Sequence, residues 1–446
     1  MRLAALRRTF CHTRLAHACT SSGLVTRDLL RILCIAFAGA TLALAVDGCR
    51  HSSAPAARGV PHSRDDTTRV VILVSLDGFR WDFLQRPGAR RLRQLAARGV
   101  HAERLIPSFP TKTFPNHYTL VTGLYPENHG IAANAMRDPV LGRFQTGDNP
   151  AVRDARWYGG EPIWVTAEKQ GLRSAVYFWP GSEAAIAGVR PHWFFPFDLA
   201  TSRRARVERV LEWVAMPTGA PRFIGVYFSD VDTEAHADGP DSPAADAAIA
   251  RVDSAVGALV DGVEQLGATN RVDVIVVSDH GMAPATAERT IALDDYVSMD
   301  SLEIGEWSPM ATIIPKPGAE AYVLRALRGR HPHLRVYRKA DVPARLHYST
   351  GARVTPVVAI ADEGWSIGTR DMLSRMPRDK VTGVHGYDNA LPSMGALFVA
   401  AGPAFRRGVT VPAFENVHVY ALLASLLHVK AAPNDGSLDS VRTLLR

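Results

Sequence analysis

Residues 69–77 read RVVILVSLD, an almost unbroken apolar and largely β-branched run that closes on an acid. A strand with one wet face alternates apolar and polar side chains. This one does not, so it suits a strand covered on both faces, as in a parallel sheet. Five further runs share its character: SAVYFW (174–179), RFIGVYFSD (222–230), RVDVIVVSD (271–279), PVVAIAD (356–362) and GALFVAAG (395–402). Helix-like segments at 82–98, 203–215, 244–266 and 416–428 lie between them. The alternation predicts an α/β fold with a central, largely parallel sheet and helices on both faces. Residues 284–380 have a different texture. AEAYVLRALRGRHPHLRVYRKADVPARLHY (319–348) reads as helix, strand and loop, which makes this stretch a small inserted α+β subdomain.

The chain has 446 residues, 47% hydrophobic and 21% charged, and a formal net charge of +7. Residues 1–69 carry ten Arg and four Asp, with no Lys or Glu, so this segment holds +6 of that charge. The remainder is near neutral, and no specific nucleic-acid partner is expected. Arg27 and Arg31 precede ILCIAFAGATLALAV (32–46), fifteen residues that are short for a membrane span and suit a signal-peptide core. The following VDGCR (46–50) resembles a lipoprotein cleavage site at Cys49, which implies export to the periplasm or a lipid anchor to the membrane. Asp47 is unusual there, so ordinary cleavage and a single-span anchor stay open, as does a true start at Val25. Residues 1–48 are thus read as a signal segment and 49–68, polar and rich in Ala, Pro and Ser, as a flexible tether. All four Cys (11, 19, 34 and 49) precede residue 50. The rest of the chain therefore has no disulfide and no thiolate metal site.

Among the strand-like runs that end in acid, three are read together: those that deliver Asp77, the pair Asp230 and Asp232, and Asp279 with His280. Any one of these is an ordinary turn residue. Three together, with His attached, point to a site, because open α/β sheets bind ligands beyond the carboxyl ends of their strands. DVDTEAHADGP spaces Asp232 and His236 four apart, on one face of a helix turn. GVHGYDN adds His385 between two glycines. Carboxylates and imidazoles without thiols suit Zn²⁺, with Mn²⁺ or Co²⁺ as substitutes. Asp77, Asp232, Asp279, His236, His280 and His385 divide into a pair of three-ligand sites with open positions, the mark of catalytic metal. His117, His129, His192, His331, His333 and His347 are read as structural.

PSFPTKTFPNHYTLVTGLYPENHG (107–130) places Thr113 where a helix begins, with Pro115 in the first turn and Gly123 at the end. Thr113 reads as an N-cap, and equally as a nucleophile at the positive end of a helix, where phosphate oxygens bind well. A free alcohol is a weak nucleophile that metal coordination can activate.

These residues resemble the nucleotide pyrophosphatase/phosphodiesterase family of the alkaline phosphatase superfamily, over about residues 70–430. The resemblance rests on SLDGFR (75–80), PTKTFPNHYTLVTGLYPENHGI (110–131), FWPGSE (178–183), DTEAHADGP (232–240), VSDHGM (277–282) and HGYDN (385–389). It implies an alkaline-phosphatase-like catalytic domain over 69–446, compact and of bacterial type. It also implies two zinc ions, one held by Asp77, Thr113, Asp279 and His280, the other by Asp232, His236 and His385. Thr113 would attack phosphorus and form a phosphothreonine that water then hydrolyses, and Asn134 would donate a hydrogen bond to a phosphoryl oxygen. Phe114 and, more loosely, Phe197 match positions that clamp a nucleotide base. Trp179 and Tyr227 match the pocket wall, although core packing explains these two as well. Lys112 is read as touching phosphate or lying in solvent. Glu183 stands where the family often has Asp.

The implied activity is cleavage of nucleotide phosphodiester or pyrophosphate bonds to release nucleoside 5'-monophosphates. A phosphomonoesterase would add cations for the extra substrate charge, and no Arg adjoins Thr113. A lipid-headgroup phosphodiesterase stays open, because relatives share a metal core and differ in substrate. A non-catalytic surface-binding lipoprotein should have lost ligands, yet the whole set is present.

Overall fold

The computed structural model describes residues 69–147 and 149–446; the expected signal segment, Cys49 and the tether lie outside the described residues. In chain order the principal strands are β1 (Val70–Leu76), β2 (Val100–Ala102), β3 (Ser174–Tyr177), β4 (Trp193–Phe195), β5 (Phe223–Phe228) and β6 (Val272–Val277). There follow β7 (Leu302–Ile304), β8 (Met310–Pro315), β9 (Leu334–Arg338), β10 (Val357–Ala361), β11 (Phe398–Ala401) and β12 (Val409–Val411). The larger sheet has the order β12-β2-β11-β6-β1-β5-β3-β4. Only β11 in it runs antiparallel to its neighbours.

The central strand shows why its sequence lacks polar alternation. Val71 and Leu73 of β1 enter one core, while Val70, Ile72, Val74 and Leu76 enter another. β6 divides in the same way, Ile275 and Val277 against Val272, Val274 and Val276. Alternate residues of a strand face opposite sides, so both faces must be covered. One is covered by α1 (Arg90–Arg98), α3 (Arg203–Ala215) and α5 (Pro243–Gln265), through Leu92, Val210 and Val252. The other is covered by α2 (Thr113–Thr122) and α7 (Val419–Leu426), through Leu120 and Leu423. Each fully buried Val, Leu or Ile contributes about 1.5–3 kcal/mol. Ser242 starts α5 by accepting from the Ala245 N–H at 3.1 Å, with Pro243 in its first turn.

Three expectations differ from what forms. The helix expected over 82–98 is a 3₁₀ turn, Trp81–Gln85, followed by α1. Pro87 and Gly88 lie between them, and proline can neither donate a backbone hydrogen bond nor continue a preceding turn. The run at 357–361 is β10, which is not in the parallel sheet. It pairs antiparallel with β8 and β9 in a four-stranded sheet of order β7-β8-β10-β9. Val357, Ala359 and Ala361 face a local core that includes Val323 and Leu327 of α6 (Glu320–Leu327), while Val358 and Ile360 face the main core. Burial on both faces gives the same apolar run in either sheet, so its composition could not assign it. Strands β2, β4 and β12 have three residues each, too few to show a period.

One packing contact has a direct consequence for stability. Ala89, at the N-terminus of α1, has no side chain able to cap the helix. Asp253 of α5 does this across the helix pair, accepting from Arg91 N–H at 2.9 Å and Leu92 N–H at 2.8 Å. Asp253→Ala leaves two N–H groups without their partner and should destabilise the fold by about 2–3 kcal/mol. Thermal unfolding should show a lower midpoint with low-temperature activity retained; an unchanged midpoint would contradict the capping role.

Candidate active site

Strands β6, β1 and β5 are adjacent and parallel, with Ser75 opposite Val277 and Leu76 opposite Phe228. Their carboxyl ends therefore deliver the next residues of all three to one edge. Asp77 N–H donates to Phe228 O at 2.9 Å, Gly78 N–H to Asp279 Oδ1 at 3.2 Å, and Asp232 N–H to Asp77 O at 3.1 Å. Gly78 has φ +66°, and a Cβ there would lie 2.9 Å from Asp232 Cα. Glycine is what lets the β1 turn and the start of α4 (Asp230–Asp238) approach this closely.

Six side chains gather here in two groups. Asp77, Asp279 and His280 offer ligand atoms within 4.8 Å of one another, as do Asp232, His236 and His385. His280 Nε2 lies 2.9 Å from Asp279 Oδ2 and 3.5 Å from Asp77 Oδ1. Asp232 Oδ1 lies 3.3 Å from His236 Nε2 and 3.7 Å from His385 Nε2. The groups adjoin, since the His280 and His385 rings stack at 3.5 Å.

All three imidazoles are oriented by the backbone. His280, His236 and His385 each donate Nδ1–H to a carbonyl, those of Gly281 (2.9 Å), Gly383 (2.7 Å) and Thr111 (2.7 Å). This fixes the tautomer and turns Nε2, with its lone pair, toward the carboxylates. His117 is different: Nδ1 donates to Thr113 O at 2.9 Å, and Nε2 accepts from the Ser75 hydroxyl at 2.8 Å. Both nitrogens are used, so His117 supports the site from behind, with Nδ1 also 3.4 Å from Asp279 Oδ2.

A cation fits this donor set. Asp77 Oδ1, Asp232 Oδ1 and Asp279 Oδ2 are buried and accept no hydrogen bond, a costly state for a carboxylate. Burial, with the charges of Asp279 and Asp232 beside it, pushes the Asp77 carboxyl well above its usual range. Burial would raise Asp279 too, but the His280 and His117 imidazoles outweigh it and hold Asp279 well below. Burial and the neighbouring His280 and His236 push His385 down, leaving it neutral, the form that binds metal.

Thr113 is the first residue of α2, and Lys112 rather than Thr113 occupies the N-cap position. The expected cap is therefore corrected. The Thr113 hydroxyl is turned to the cluster, where Oγ1 lies 3.3 Å from His280 Nε2. The capping falls to Asn134, whose Oδ1 accepts from Phe114 N–H at 2.9 Å, which leaves its Nδ2 as a donor. Lys112 is also corrected. It is neither solvated nor part of the cleft lining; it is buried, with Nζ 2.9 Å from Ser308 O and 3.3 Å from Glu306 Oε1.

A cleft of about 540 Å³ opens over the cluster, bounded by Thr113, Phe114, Asn134, Phe178, Trp179 and Phe197 among others. Tyr227 reaches it but is held in the wall, its hydroxyl donating to Asp77 Oδ2 at 2.5 Å. Trp179 is likewise a buried wall residue, with Nε1–H donating to His117 O at 3.1 Å. Phe197 is 47% exposed and packs edge-on to Phe178 at 5.5 Å. Phe114 rests on Phe144 at 5.7 Å. Glu183 joins three segments, accepting from Phe197 N–H at 3.1 Å and Arg153 Nε at 2.7 Å while Arg190 Nε donates to its carbonyl at 3.0 Å. His117, read as structural, lies four residues from Thr113 on the same helix and so supports the site. The supporting contacts of Glu183 and Phe178 have no such signal in the sequence.

Residues 71–388 match the family model described as type I phosphodiesterase / nucleotide pyrophosphatase. Human ectonucleotide pyrophosphatase/phosphodiesterase family member 5 is 40% identical over 377 residues, 84% of this chain and 78% of the human protein. A bis(5'-adenosyl)-triphosphatase of Xenopus laevis is 36% identical, across 85% of this chain and 82% of the frog protein. Among solved structures, an inactive threonine-to-alanine variant of murine ectonucleotide pyrophosphatase/phosphodiesterase 5 in complex with AMP superposes with a TM-score of 0.80 at 38% identity. That match covers 85% of this chain and all of the murine one. The chain belongs to the type I phosphodiesterase / nucleotide pyrophosphatase family of the alkaline phosphatase superfamily, and is a hydrolase of that class.

Proposed function

We propose that the protein is a two-zinc phosphodiesterase that cleaves nucleotide phosphodiester or pyrophosphate bonds through a phosphothreonine at Thr113, releasing nucleoside 5'-monophosphates. The observation that carries the reading is the pair of carboxylate–imidazole groups, with orphaned carboxylate oxygens and Nε2 atoms turned toward them, beside the Thr113 hydroxyl. Asp77, Asp279, His280 and the Thr113 oxygen would hold one ion; Asp232, His236 and His385 would hold the other. When bound, two such ions lower the pKa of the attacking oxygens and neutralise charge on the phosphoryl group.

The chain's own residues set up the displacement. α2 presents Thr113 Oγ at its N-terminus, where the helix dipole favours a phosphoryl group. Thr113 Oγ gives its proton to solvent and bonds to phosphorus as the bond to the leaving oxygen breaks, so the alcohol or phosphate product departs and phosphothreonine remains. Water then attacks phosphorus and loses a proton, the P–Oγ bond breaks, Thr113 Oγ takes a proton back, and the monophosphate leaves. Asn134, oriented by its bond to Phe114 N–H, donates Nδ2–H to a phosphoryl oxygen, whose charge grows in the transition state. Phe114 and Phe197 supply rings for base stacking, worth about 1–3 kcal/mol per base. Among the described residues lining the cleft there is no Lys or Arg, which favours a diester over the more highly charged monoester. The AMP bound by the murine relative supports a nucleotide occupant. The reading extends to export, with residues 1–48 as leader and Cys49 as the point of lipid attachment.

Thr113→Ala should fold, bind zinc and lose turnover of the p-nitrophenyl diester of thymidine 5'-monophosphate by roughly 10³-fold or more. Rates like those of the unmodified enzyme would refute the nucleophile. Asp232→Asn and His385→Ala should each lower bound zinc from about two ions to about one per chain. Elemental analysis that finds full occupancy in both variants would overturn the ligand assignment.

A further inference from the structure

The sheet carries a second charge pattern, at the edge opposite the cleft. Six of its seven mutually parallel strands are preceded, within two residues, by arginine: Arg69 before β1, Arg98 before β2, Arg173 before β3, Arg222 before β5, Arg271 before β6 and Arg407 before β12. Parallel strands place all of these at one edge. Some close the fold there. Arg271 donates to Val214 O at 2.9 Å, Arg173 to Gly219 O at 3.3 Å, and Arg69 lies 3.5 Å from Asp273 Oδ2.

Four arginines on this face lack an acidic partner among the described residues. Arg98, Arg406, Arg407 and Arg446 are exposed. No described acidic side chain forms an ion pair with any of them. Arg406 and Arg446 bond only the carbonyls of Thr443 (3.4 Å) and Phe405 (2.8 Å), which leave their charge intact. Arg98, Arg407 and Arg446 border an open groove of about 760 Å³ with Leu95, Val263 and Val274 among its apolar lining. Arg406 and Arg407 continue into a flatter depression beside it. Glu264 is the single acidic side chain among the described residues that line the groove.

The place where the chain joins this face indicates what covers it. Val70 N–H donates to Arg271 O at 2.8 Å, and Asn270 and Val272, on either side of Arg271, line the groove. Arg69, the first described residue, therefore lies within a strand's width of the basic groove, and the stretch read as a tether, 49–68, precedes it in the sequence. We infer that this arginine-rimmed face docks on an anionic lipid surface and holds the catalytic cleft outward. Anionic headgroups supply the charge that the unpaired guanidiniums lack, and basic side chains are drawn to such a surface. The strands between run from the basic edge to the acidic one at about 3.3 Å per residue, so the seven residues of β1 separate lipid from substrate by roughly 20 Å. The inference does not depend on the catalytic reading, because none of the four arginines touches the cleft.

The test is sedimentation of the full chain with vesicles of phosphatidylcholine alone or with about 30 mol% phosphatidylglycerol. The natural chain should partition more strongly onto the anionic vesicles. The variant Arg98→Glu/Arg406→Glu/Arg407→Glu should show that increment reduced at least about tenfold, keep its binding to phosphatidylcholine, and keep a single cooperative thermal unfolding transition. That transition shows that the variant has folded. Should it be lost, the Gln triple variant at the same positions carries the test in the same direction. An equal increment in folded variant and natural chain would overturn the inference. So would the absence of any increment in the natural chain, or a loss confined to duplex DNA binding, which would make the face a nucleic-acid site.

Discussion

Asp77, Asp232 and Asp279 converge at the carboxyl edge of three adjacent strands, and three like charges in so small a buried space repel one another unless something positive lies between them. The neighbouring architecture is shaped by that constraint. Backbone carbonyls turn three imidazoles so that each offers Nε2 to the carboxylates. Gly78 lets the β1 turn close onto α4. Three carboxylate oxygens stay without hydrogen bonds, pointing inward. A purely structural polar network would satisfy those oxygens with donors. Here they are kept open, which is the state a cation requires.

The same constraint explains the second layer. Tyr227 and His117 use their hydrogen bonds to hold Asp77, Ser75 and the α2 backbone rather than to reach a substrate. Asn134 completes the first turn of α2 and, by doing so, aims its amide nitrogen. Thr113 is thereby free of the capping duty that its position suggests. A helix terminus that needs no cap from its own first hydroxyl can commit that hydroxyl to chemistry. At the far edge the sheet reverses its charge, with arginines before the strands where carboxylates follow them, so one parallel topology separates a substrate face from a basic one.

Much of this was legible in sequence because it is carried by period and position. RVVILVSLD could only be a doubly covered strand, and the three acids that follow such strands had to share an edge once the strands were parallel. Asp232 and His236 lie one helical turn apart for the same reason. The failures are equally physical. PVVAIAD reads like the parallel strands because burial on both faces looks alike in either sheet. The apolar pattern of 82–98 runs on across Pro87, where the helix does not. Lys112 was placed near phosphate or in solvent, when Glu306, nearly two hundred residues away, neutralises it inside the protein. Glu183 holding Phe197 and Arg153 is likewise a long-range contact, and no local pattern announces one.

The central claim is that two ions lie in two adjoining groups flanking Thr113, and it can be tested by anomalous X-ray diffraction above and below the zinc edge on crystals of the zinc-loaded protein. Two peaks are expected, one among Asp77, Asp279, His280 and the Thr113 oxygen, the other among Asp232, His236 and His385. A single peak, or peaks away from these residues, would contradict it.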